Sequence, residues 1–237
     1  LKATMHRFQL RVKKEMEPHS QSSSLRPGET IRLKVHNLSF LDKGPFSFDV
    51  SAGECRGLSG QSGVGKSLLL KALTDLIAFQ GTITLDGVSI SSYPAPEWRS
   101  RVTMVAAESF WWYDRVHEHF NRQKESALFA NHLSELGFST DVLSWKISRM
   151  STGERQRLAL LRSLVNSPQV LLLDEPTSNL DSHNTERVEK FVSDYRAAHG
   201  TAMIWVSHDE AQLKRVAARS LQMTREGVIE TADTALS

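Results

Sequence analysis

The sequence predicts an α/β fold built on a mainly parallel sheet, and three observations point to it. A glycine-rich stretch, 60–67, lies between a strand-like segment, 54–58, and an apolar, helix-like run, 68–73. The run 170–173 contains only apolar residues, which suits a strand buried on both faces. From Ser151 onward helical and strand-like segments alternate, which is typical of a parallel sheet covered by helices. In such folds ligands bind at the carboxyl ends of the strands.

The size and composition are those of an ordinary globular protein. The 237 residues allow one large or two small domains, and 40% of them are hydrophobic and 24% charged. No run approaches the roughly 20 apolar residues that cross a bilayer, so another chain must cross it if the protein acts at a membrane. The single cysteine, Cys55, excludes a disulfide within the chain and fits a reducing cytosol.

Charge is distributed unevenly along the chain. Residues 1–28 hold six Lys/Arg and two Glu, so this segment carries a charge of +4. Its basic and polar composition predicts a disordered or loosely attached tail. Residues 29–237 hold 23 basic and 25 acidic residues and form the expected folded domain. Because this domain is slightly negative, we expect no nucleic-acid partner.

Strand-like patterns dominate the start of the folded domain. Apolar residues alternate with polar ones from Ile31 to Val35 and from Phe46 to Val50, and a turn at 42–45 separates the two strands. A helix is predicted at 66–77. Further strands are predicted at 81–87 and 101–105.

The middle of the chain has a different character. Helical spacing places Leu128, Phe129, Leu133 and Leu136 on one face, so we expect a helical insertion at about 108–158 in the α/β core. The remaining elements are predicted as helices at 152–166, 184–199 and 209–218 and strands at 170–174, 202–206, 220–224 and 227–230.

The glycine-rich stretch fits the phosphate-loop pattern of Gly, four residues, then Gly-Lys-Ser. Its residues are Gly60, Gln61, Ser62, Gly63, Val64, Gly65, Lys66 and Ser67. Glycines allow backbone N–H groups to surround an anion, and the following helix directs its positive end at the same place. Lys66 would reach the β- and γ-phosphates, and the Ser67 hydroxyl would ligate Mg²⁺. The alternative is a glycine-rich turn that binds nothing, but the strand before it and the helix after it favour a nucleotide-binding loop.

Two carboxylates follow the apolar run 170–173. Asp174 would hold Mg²⁺, usually through water, and Glu175 would orient and deprotonate the attacking water. A helix cap or an acidic surface pair is the alternative interpretation. The phosphate loop elsewhere in the chain favours the catalytic one.

Four motifs in order resemble those of the ATP-binding-cassette (ABC) ATPases. The stretch 150–157, Met-Ser-Thr-Gly-Glu-Arg-Gln-Arg, is similar to the signature motif of that family. The stretch 178–181, Ser-Asn-Leu-Asp, resembles its D-loop, and 205–208, Trp-Val-Ser-His, resembles its switch-histidine motif. With the phosphate loop these motifs cover 60–208, and the chain is identified as a member of that family.

The resemblance implies a P-loop NTPase core with an antiparallel β subdomain and an inserted helical subdomain. It implies a homodimer that forms head to tail on ATP binding, in which Ser151 and Gly153 contact the partner's ATP and Asp181 belongs to the nucleotide site. His208 would contact the γ-phosphate and position the attacking water. Separate transmembrane permease subunits would hold the chain peripherally on the inner, cytoplasmic face of the membrane. Serine is a good N-cap and glycine allows close backbone approach, which suits such an anion site.

The sequence departs from the family pattern at four positions. Ala107 falls where the family has its Q-loop glutamine, so either Glu108 substitutes or that contact is absent. Leu68 replaces the usual threonine after Gly-Lys-Ser and keeps only its backbone N–H. Thr152 replaces the first signature glycine. The adenine-stacking aromatic falls near Asp42, while Phe40 is two residues early and faces the core by strand alternation.

Three functions compete on this evidence. The leading one is the ATPase subunit of an ABC transporter, with most resemblance to small subunits for metal or iron export. The second is a non-transport ABC ATPase in translation or DNA repair, although the chain has neither a second cassette nor a long coiled coil. The third is a P-loop kinase, which leaves the signature and His208 motifs unexplained.

The aromatic stretch 110–113 is the expected docking surface for the permease, and a second small core is the alternative.

Overall fold

The structure, a computed structural model, describes residues 30–120, 127–225 and 227–231, so the expected tail at 1–28 lies outside the described residues. Two sheets, of six and four strands, organise this part of the chain. The strands are β1 (Ile31–Phe40), β2 (Lys43–Ser51), β3 (Cys55–Ser59), β4 (Gln80–Leu85), β5 (Val88–Ser89), β6 (Val102–Val105), β7 (Val170–Asp174), β8 (Ala202–Val206), β9 (Arg219–Met223) and β10 (Val228–Thr231).

The six-stranded sheet has the order β10-β9-β3-β8-β7-β6. Its neighbouring strands from β9 to β6 are parallel, and β10 adds antiparallel to β9. This confirms the mainly parallel sheet. The order sets β8 between β3 and β7, so that the ends of all three strands lie side by side at one edge of the sheet.

The helices are α1 (Lys66–Leu73), α2 (Ala95–Arg101), α3 (Ala127–Glu135), α4 (Thr152–Ser163), α5 (Ser182–His199) and α6 (Glu210–Val216). Helix α2 was not predicted, although Pro94 and Pro96 are typical of a helix start. Trp98 anchors this helix in the core, because its indole N–H donates to the carbonyl of Leu73 at 2.9 Å. None of the described helices combines the length and hydropathy needed to cross a membrane.

The four-stranded sheet is antiparallel, with the order β2-β1-β4-β5. Strands β1 and β2 form a hairpin whose tip is Leu41 and Asp42. A core cluster joins this sheet to the large one through helix α1, since Phe48, Leu69 and Leu172 all belong to it. The helix that follows the phosphate loop is therefore held from both sides.

Strand β7 shows why a run of apolar residues suits a central strand. Val170 and Leu172 belong to the core cluster around α1, while Leu171 and Leu173 belong to a second cluster under the opposite helices. Successive side chains of a strand point to opposite faces, so both faces of β7 are buried.

The predicted helical insertion is only partly helical in the described residues. Between 108 and 149 the structure has α3 and three short 3₁₀ helices at Val116–His119, Thr140–Ser144 and Ile147–Arg149. Phe129, Leu133 and Leu136 are buried as expected, but Leu128 is 61% exposed, so its placement on the buried face was wrong. Fewer apolar side chains of α3 face the core than the sequence suggested. Leu128 and Phe129 are consecutive in the helix, so their side chains point in different directions. The division into a tail and a domain with an insertion stays a prediction.

Candidate nucleotide-binding site

The phosphate loop joins the end of β3 to the start of α1 and bends through three glycines. Gly60, Gly63 and Gly65 have φ angles of 142°, 75° and 114°, in the region that L side chains rarely adopt. A Cβ atom at Gly60 would lie 2.6 Å from the carbonyl oxygen of Met223, so only glycine fits there. The first amides of α1, at Lys66, Ser67 and Leu68, have no intrahelical acceptor and are available to an anion.

Lys66 is buried beneath the loop. Its ammonium group donates to the carbonyl oxygens of Gly60 at 2.8 Å and Gln61 at 3.3 Å. Burial lowers the pKa of Lys66, while the carboxylates of Glu175 and Asp174 act in the opposite direction. The two carboxylates at the end of β7 are thus electrostatically coupled to the phosphate loop, as the sequence predicted.

Glu175 follows β7 with a φ of 50°, uncommon for a residue with a side chain. Its amide donates to the carbonyl of Val206 at 3.2 Å, which ties it to the neighbouring strand β8. Burial raises the pKa of Glu175, and the charges of His208 and Lys66 partly oppose this. A half-buried carboxylate with a raised pKa is a good candidate for a general base.

His208 lies just beyond the end of β8. Its Nε2 atom is 3.3 Å from Oε1 of Glu175, and its side chain is 57% exposed. The sheet order explains this proximity, because β7 and β8 are adjacent and parallel and both end here. The structure therefore brings together Lys66, Asp174, Glu175 and His208, four residues that the sequence predicted from three separate motifs.

The signature stretch begins helix α4. Ser151 caps it, accepting from the Glu154 amide at 3.2 Å, while the Glu154 carboxylate accepts from the Ser151 amide at 2.8 Å. This reciprocal pair is a capping box. Ser151 remains exposed at the helix start, and so does Thr152.

Gly153 packs against the D-loop of its own chain. A Cβ atom at Gly153 would lie 2.9 Å from the carbonyl oxygen of Asn179 and 2.9 Å from the Leu180 side chain. The glycine is therefore required by packing within the chain, whatever it contacts in a partner.

Asp181 is the N-cap of α5 and is engaged within its own chain. Its carboxylate accepts from the Asn184 amide and from the Asn184 side chain, both at 2.8 Å. These hydrogen bonds, chiefly the one from the main-chain amide of Asn184, lower the pKa of Asp181. Its role toward the nucleotide stays a prediction.

A further residue of the site, Gln156, was missed by sequence reasoning. It lies in α4 and its side-chain amide donates to the main-chain carbonyl of Glu175 at 2.8 Å. Gln156 is 3% exposed, and the sequence signal for it was an uncharged glutamine between Arg155 and Arg157.

The departures from the family pattern are visible in the structure. Ala107 is half-buried just after β6, and Glu108 is exposed. Phe40 is buried and stacks on Phe46 with ring centroids 5.4 Å apart, so it faces the core as predicted. Asp42 at the hairpin tip has a side chain that is 85% exposed. Leu68 packs against the core cluster around α1.

The oxygen donors present suit a magnesium ion. The Ser67 hydroxyl lies at the exposed start of α1, and the Asp174 carboxylate ends the buried strand β7. Among the described residues, no group of three or more His, Cys, Asp or Glu side chains is placed to hold a metal. Mg²⁺ keeps several waters and commonly takes only one or two protein oxygens beside phosphate, so this donor set fits it.

The parallel sheet, the phosphate loop and the carboxylates at the end of β7 define a P-loop nucleotide-binding domain. Comparison with known proteins makes this more specific. The family model described as ABC transporter matches residues 44–178. The chain therefore belongs to the ABC transporter family and is an ATP-binding domain with ATPase activity, which confirms the predicted fold and class.

Individual relatives agree with the family assignment. The chain is 34% identical to the probable iron export ATP-binding protein FetA of Escherichia coli over 175 residues, covering 70% of this chain and 78% of FetA. It is 29% identical to the lipoprotein-releasing system ATP-binding protein LolD of Bacteroides fragilis, covering 76% and 90%. The solved structure of cbiO1 from Clostridium perfringens aligns with a TM-score of 0.72 at 22% identity, covering 85% of this chain and 88% of cbiO1.

Proposed function

We propose that this chain hydrolyses Mg-ATP as a head-to-tail homodimer and drives transport through separate transmembrane permease subunits. One arrangement carries the proposal. Glu175 follows β7 with His208 3.3 Å away, and the side chain of Gln156, in the signature helix, donates a hydrogen bond to the main-chain carbonyl of Glu175. A candidate base, a histidine and the signature helix thus meet at one residue.

The chemistry follows from the groups at the end of β7 and β8. Glu175 takes a proton from the water that attacks the γ-phosphorus, and its raised pKa makes it a better proton acceptor than an exposed glutamate. The oxygen of that water forms the new bond as the bond from the γ-phosphorus to ADP breaks. His208 lies close enough to Glu175 to hold the same water. Lys66 and the free amides of α1 stabilise the negative charge of the phosphates.

Mg²⁺ would be held by Ser67 and Asp174, directly or through water. When bound, it supplies neutralising charge at the β- and γ-phosphate oxygens. Asp174 is buried at the end of its strand, so the main chain of β7 fixes its position.

The homodimer is supported by the exposure of the signature helix start. Ser151 and Thr152 are exposed, and the amides of Thr152 and Gly153 at the start of α4 have no intrahelical acceptor. A partner's triphosphate is an anion that these amides suit. Gly153 contacts the D-loop, so such a contact would be communicated to the segment that contains Asp181.

For the transported substrate we propose a metal ion, with export of iron as the specific case. The support is the likeness to FetA, an iron export protein by its name. The likeness to LolD, named for lipoprotein release, supports a permease partner without favouring a metal. The chain would then lie on the inner, cytoplasmic face of the membrane, held there by its permease.

The test is purification from detergent-solubilised membranes of the source cells, with identification of the protein that remains bound. We expect an integral membrane protein to co-purify and to stimulate ATP hydrolysis, and a transported metal to stimulate the complex further. A ribosomal or DNA-repair partner instead would overturn the transport function. ATPase activity that other solutes stimulate, and iron does not, would overturn only the metal assignment.

A further inference from the structure

The hairpin tip between β1 and β2 lies directly against the phosphate loop through one side chain. A Cβ atom built at Gly65 would lie 2.7 Å from Cδ and 2.9 Å from Cε of Lys43. The aliphatic part of Lys43 therefore lies across the backbone of Gly65, the N-cap residue of α1. This contact joins the four-stranded sheet to the phosphate loop, at the point where the nucleotide site begins.

The ammonium group of Lys43 is one bond beyond Cε, so it lies close to the backbone of Gly65, which precedes the free amides of α1. The Lys43 side chain is only 15% exposed. Within the described part of the chain its ion pair is with Asp42, at 3.9 Å, whose side chain is 85% exposed. Such a long contact to a well-hydrated carboxylate compensates little of a buried cation's charge.

The surroundings of Lys43 also favour an anion. The Lys66 ammonium lies under the same loop, and the positive end of α1 points at it. Both lysines contact the phosphate loop, Lys66 at Gly60 and Lys43 at Gly65, so positive charge is concentrated around this loop. No aromatic side chain at the hairpin tip takes this place, because Leu41 and Asp42 form the tip and Phe40 is in the core.

We propose that Lys43 is a nucleotide-binding residue that pairs with the polyphosphate of the bound nucleotide. This rests on the proposed function of the site. Lys43 would thus hold the nucleotide through the charge of its phosphates. The aromatic residue that the family has near this position would hold it by stacking on the base. The affinity for nucleotide therefore depends on ionic strength and only weakly on the identity of the base.

The test measures the affinity of the full chain for MgATP and MgGTP by titration calorimetry at low and high salt. Lys43→Met keeps the aliphatic stem over Gly65 and removes the charge. It should weaken both nucleotides by about tenfold at low salt, and the difference from wild type should shrink at high salt. Lys43→Arg should retain most of the affinity. Asp42→Asn, which releases Lys43 from its counter-ion, should bind at least as tightly as wild type.

The matched control is Lys34→Met, an exposed lysine on the same hairpin, which should bind both nucleotides as wild type does. Wild-type affinity in Lys43→Met overturns the proposal. A loss confined to one base also overturns it, because Lys43 would then read the base. Binding by the wild-type chain is the separate test of the proposed function, since a chain that binds no nucleotide has no such site.

Folding is checked by the melting temperature without nucleotide. If Lys43→Met melts well below wild type, the affinity is measured on Lys43→Gln. Failure of both variants to fold overturns the proposal, because Lys43 would then act in packing.

Discussion

The side-chain amide of Gln156 donates a hydrogen bond of 2.8 Å to the main-chain carbonyl of Glu175. It links the helix that starts at the signature stretch to the residue proposed as the general base. Gln156 is buried, so water does not compete for this hydrogen bond. The hydrogen bond therefore ties the main chain of Glu175, the proposed base, to the signature helix of its own chain.

Replacing Gln156 should affect turnover rather than binding. Gln156→Ala removes one hydrogen bond of about 1 kcal/mol, so we expect kcat to fall about fivefold with little change in the affinity for ATP. Steady-state ATPase kinetics and nucleotide titration measure the two effects. The control is Gln222→Ala, an exposed glutamine on β9, which should behave as wild type. A higher KM at unchanged kcat would mean that Gln156 serves binding instead.

Glu175→Gln should abolish most hydrolysis. The amide cannot accept the proton of the attacking water, so we expect a loss of about 10²-fold or more in kcat. ATP binding should persist, and the ATP-bound dimer should accumulate because it cannot proceed to hydrolysis. Size-exclusion chromatography with MgATP detects that dimer. Near-normal turnover in this variant would remove Glu175 from the mechanism.

The raised pKa of Glu175 predicts a pH-dependent stability difference. Burial favours the protonated form in the folded state, so the contribution of Glu175 to stability is largest below its unfolded pKa. That contribution is lost as the pH rises through the folded pKa. The melting temperature of Glu175→Gln relative to wild type should therefore increase from acidic to neutral pH. Gln222→Ala, which removes no titratable group, should show no such trend. A constant or falling difference for Glu175→Gln contradicts the raised pKa.

The local motifs of the site could be predicted from sequence because each depends on neighbouring residues. The phosphate loop needs glycines with positive φ at 60, 63 and 65, and the strand Val170–Asp174 needs apolar residues on both faces. Such requirements fall on residues that are close together in the sequence. Element order then brings the motifs together, since adjacent parallel strands end at the same edge.

Contacts between distant segments could not be predicted in this way. The position of Lys43 over Gly65 and the hydrogen bond from Gln156 to Glu175 depend on how sheets and helices pack. Leu128 shows the same limit, because helical spacing allows several apolar stripes and the packing of α3 selects one. The short helix α2 was missed although its prolines marked it, since its seven residues carry too weak a periodicity.

The head-to-tail dimer can be tested by mixing two inactive variants. Gly153→Asp is unsuitable, because the new side chain would collide with the carbonyl of Asn179 in its own chain. Ser151→Asp keeps a good N-cap and places a negative charge where the partner's triphosphate would bind. Mixed with Lys66→Ala, it should form heterodimers with one complete site, and activity should exceed that of either variant alone.

Mass spectrometry of intact complexes checks that the heterodimers form. In the control, each variant is mixed with a labelled copy of itself. This mixture should stay inactive because no site is complete. Heterodimers without added activity would contradict the arrangement of Ser151 opposite the partner's phosphate loop.

The aromatic stretch 110–113 divides into exposed residues and one anchoring residue. Phe110 and Trp112 are 75% and 65% exposed. Trp111 is half-buried, packs against the core under the helices, and donates to the Ser109 hydroxyl at 3.0 Å. The Arg162 guanidinium lies between the two tryptophans, 4.4 Å from the Trp111 ring and 4.6 Å from the Trp112 ring. Arg162 therefore supports the exposed ring of Trp112 from below, and burial lowers the pKa of Arg162 to about 10.

Docking of the permease should therefore depend on the exposed rings and folding on the buried one. Phe110→Ala and Trp112→Ala should leave the melting temperature nearly unchanged and weaken capture of the membrane partner, because exposed aromatics are frequent anchors in interfaces. Trp111→Ala should cost about 2 kcal/mol of stability, less than the loss of a fully buried tryptophan. Thermal melts and pull-down from detergent extracts measure the two effects.

Leu76→Ala is the matched control, since Leu76 is an exposed apolar residue (54%) outside this stretch and should change neither property. The opposite outcome has an equally clear meaning. If Phe110→Ala and Trp112→Ala both melt far below wild type while capture per folded molecule is unchanged, the exposed rings serve the fold. The stretch would then be the second small core, and the permease would dock elsewhere.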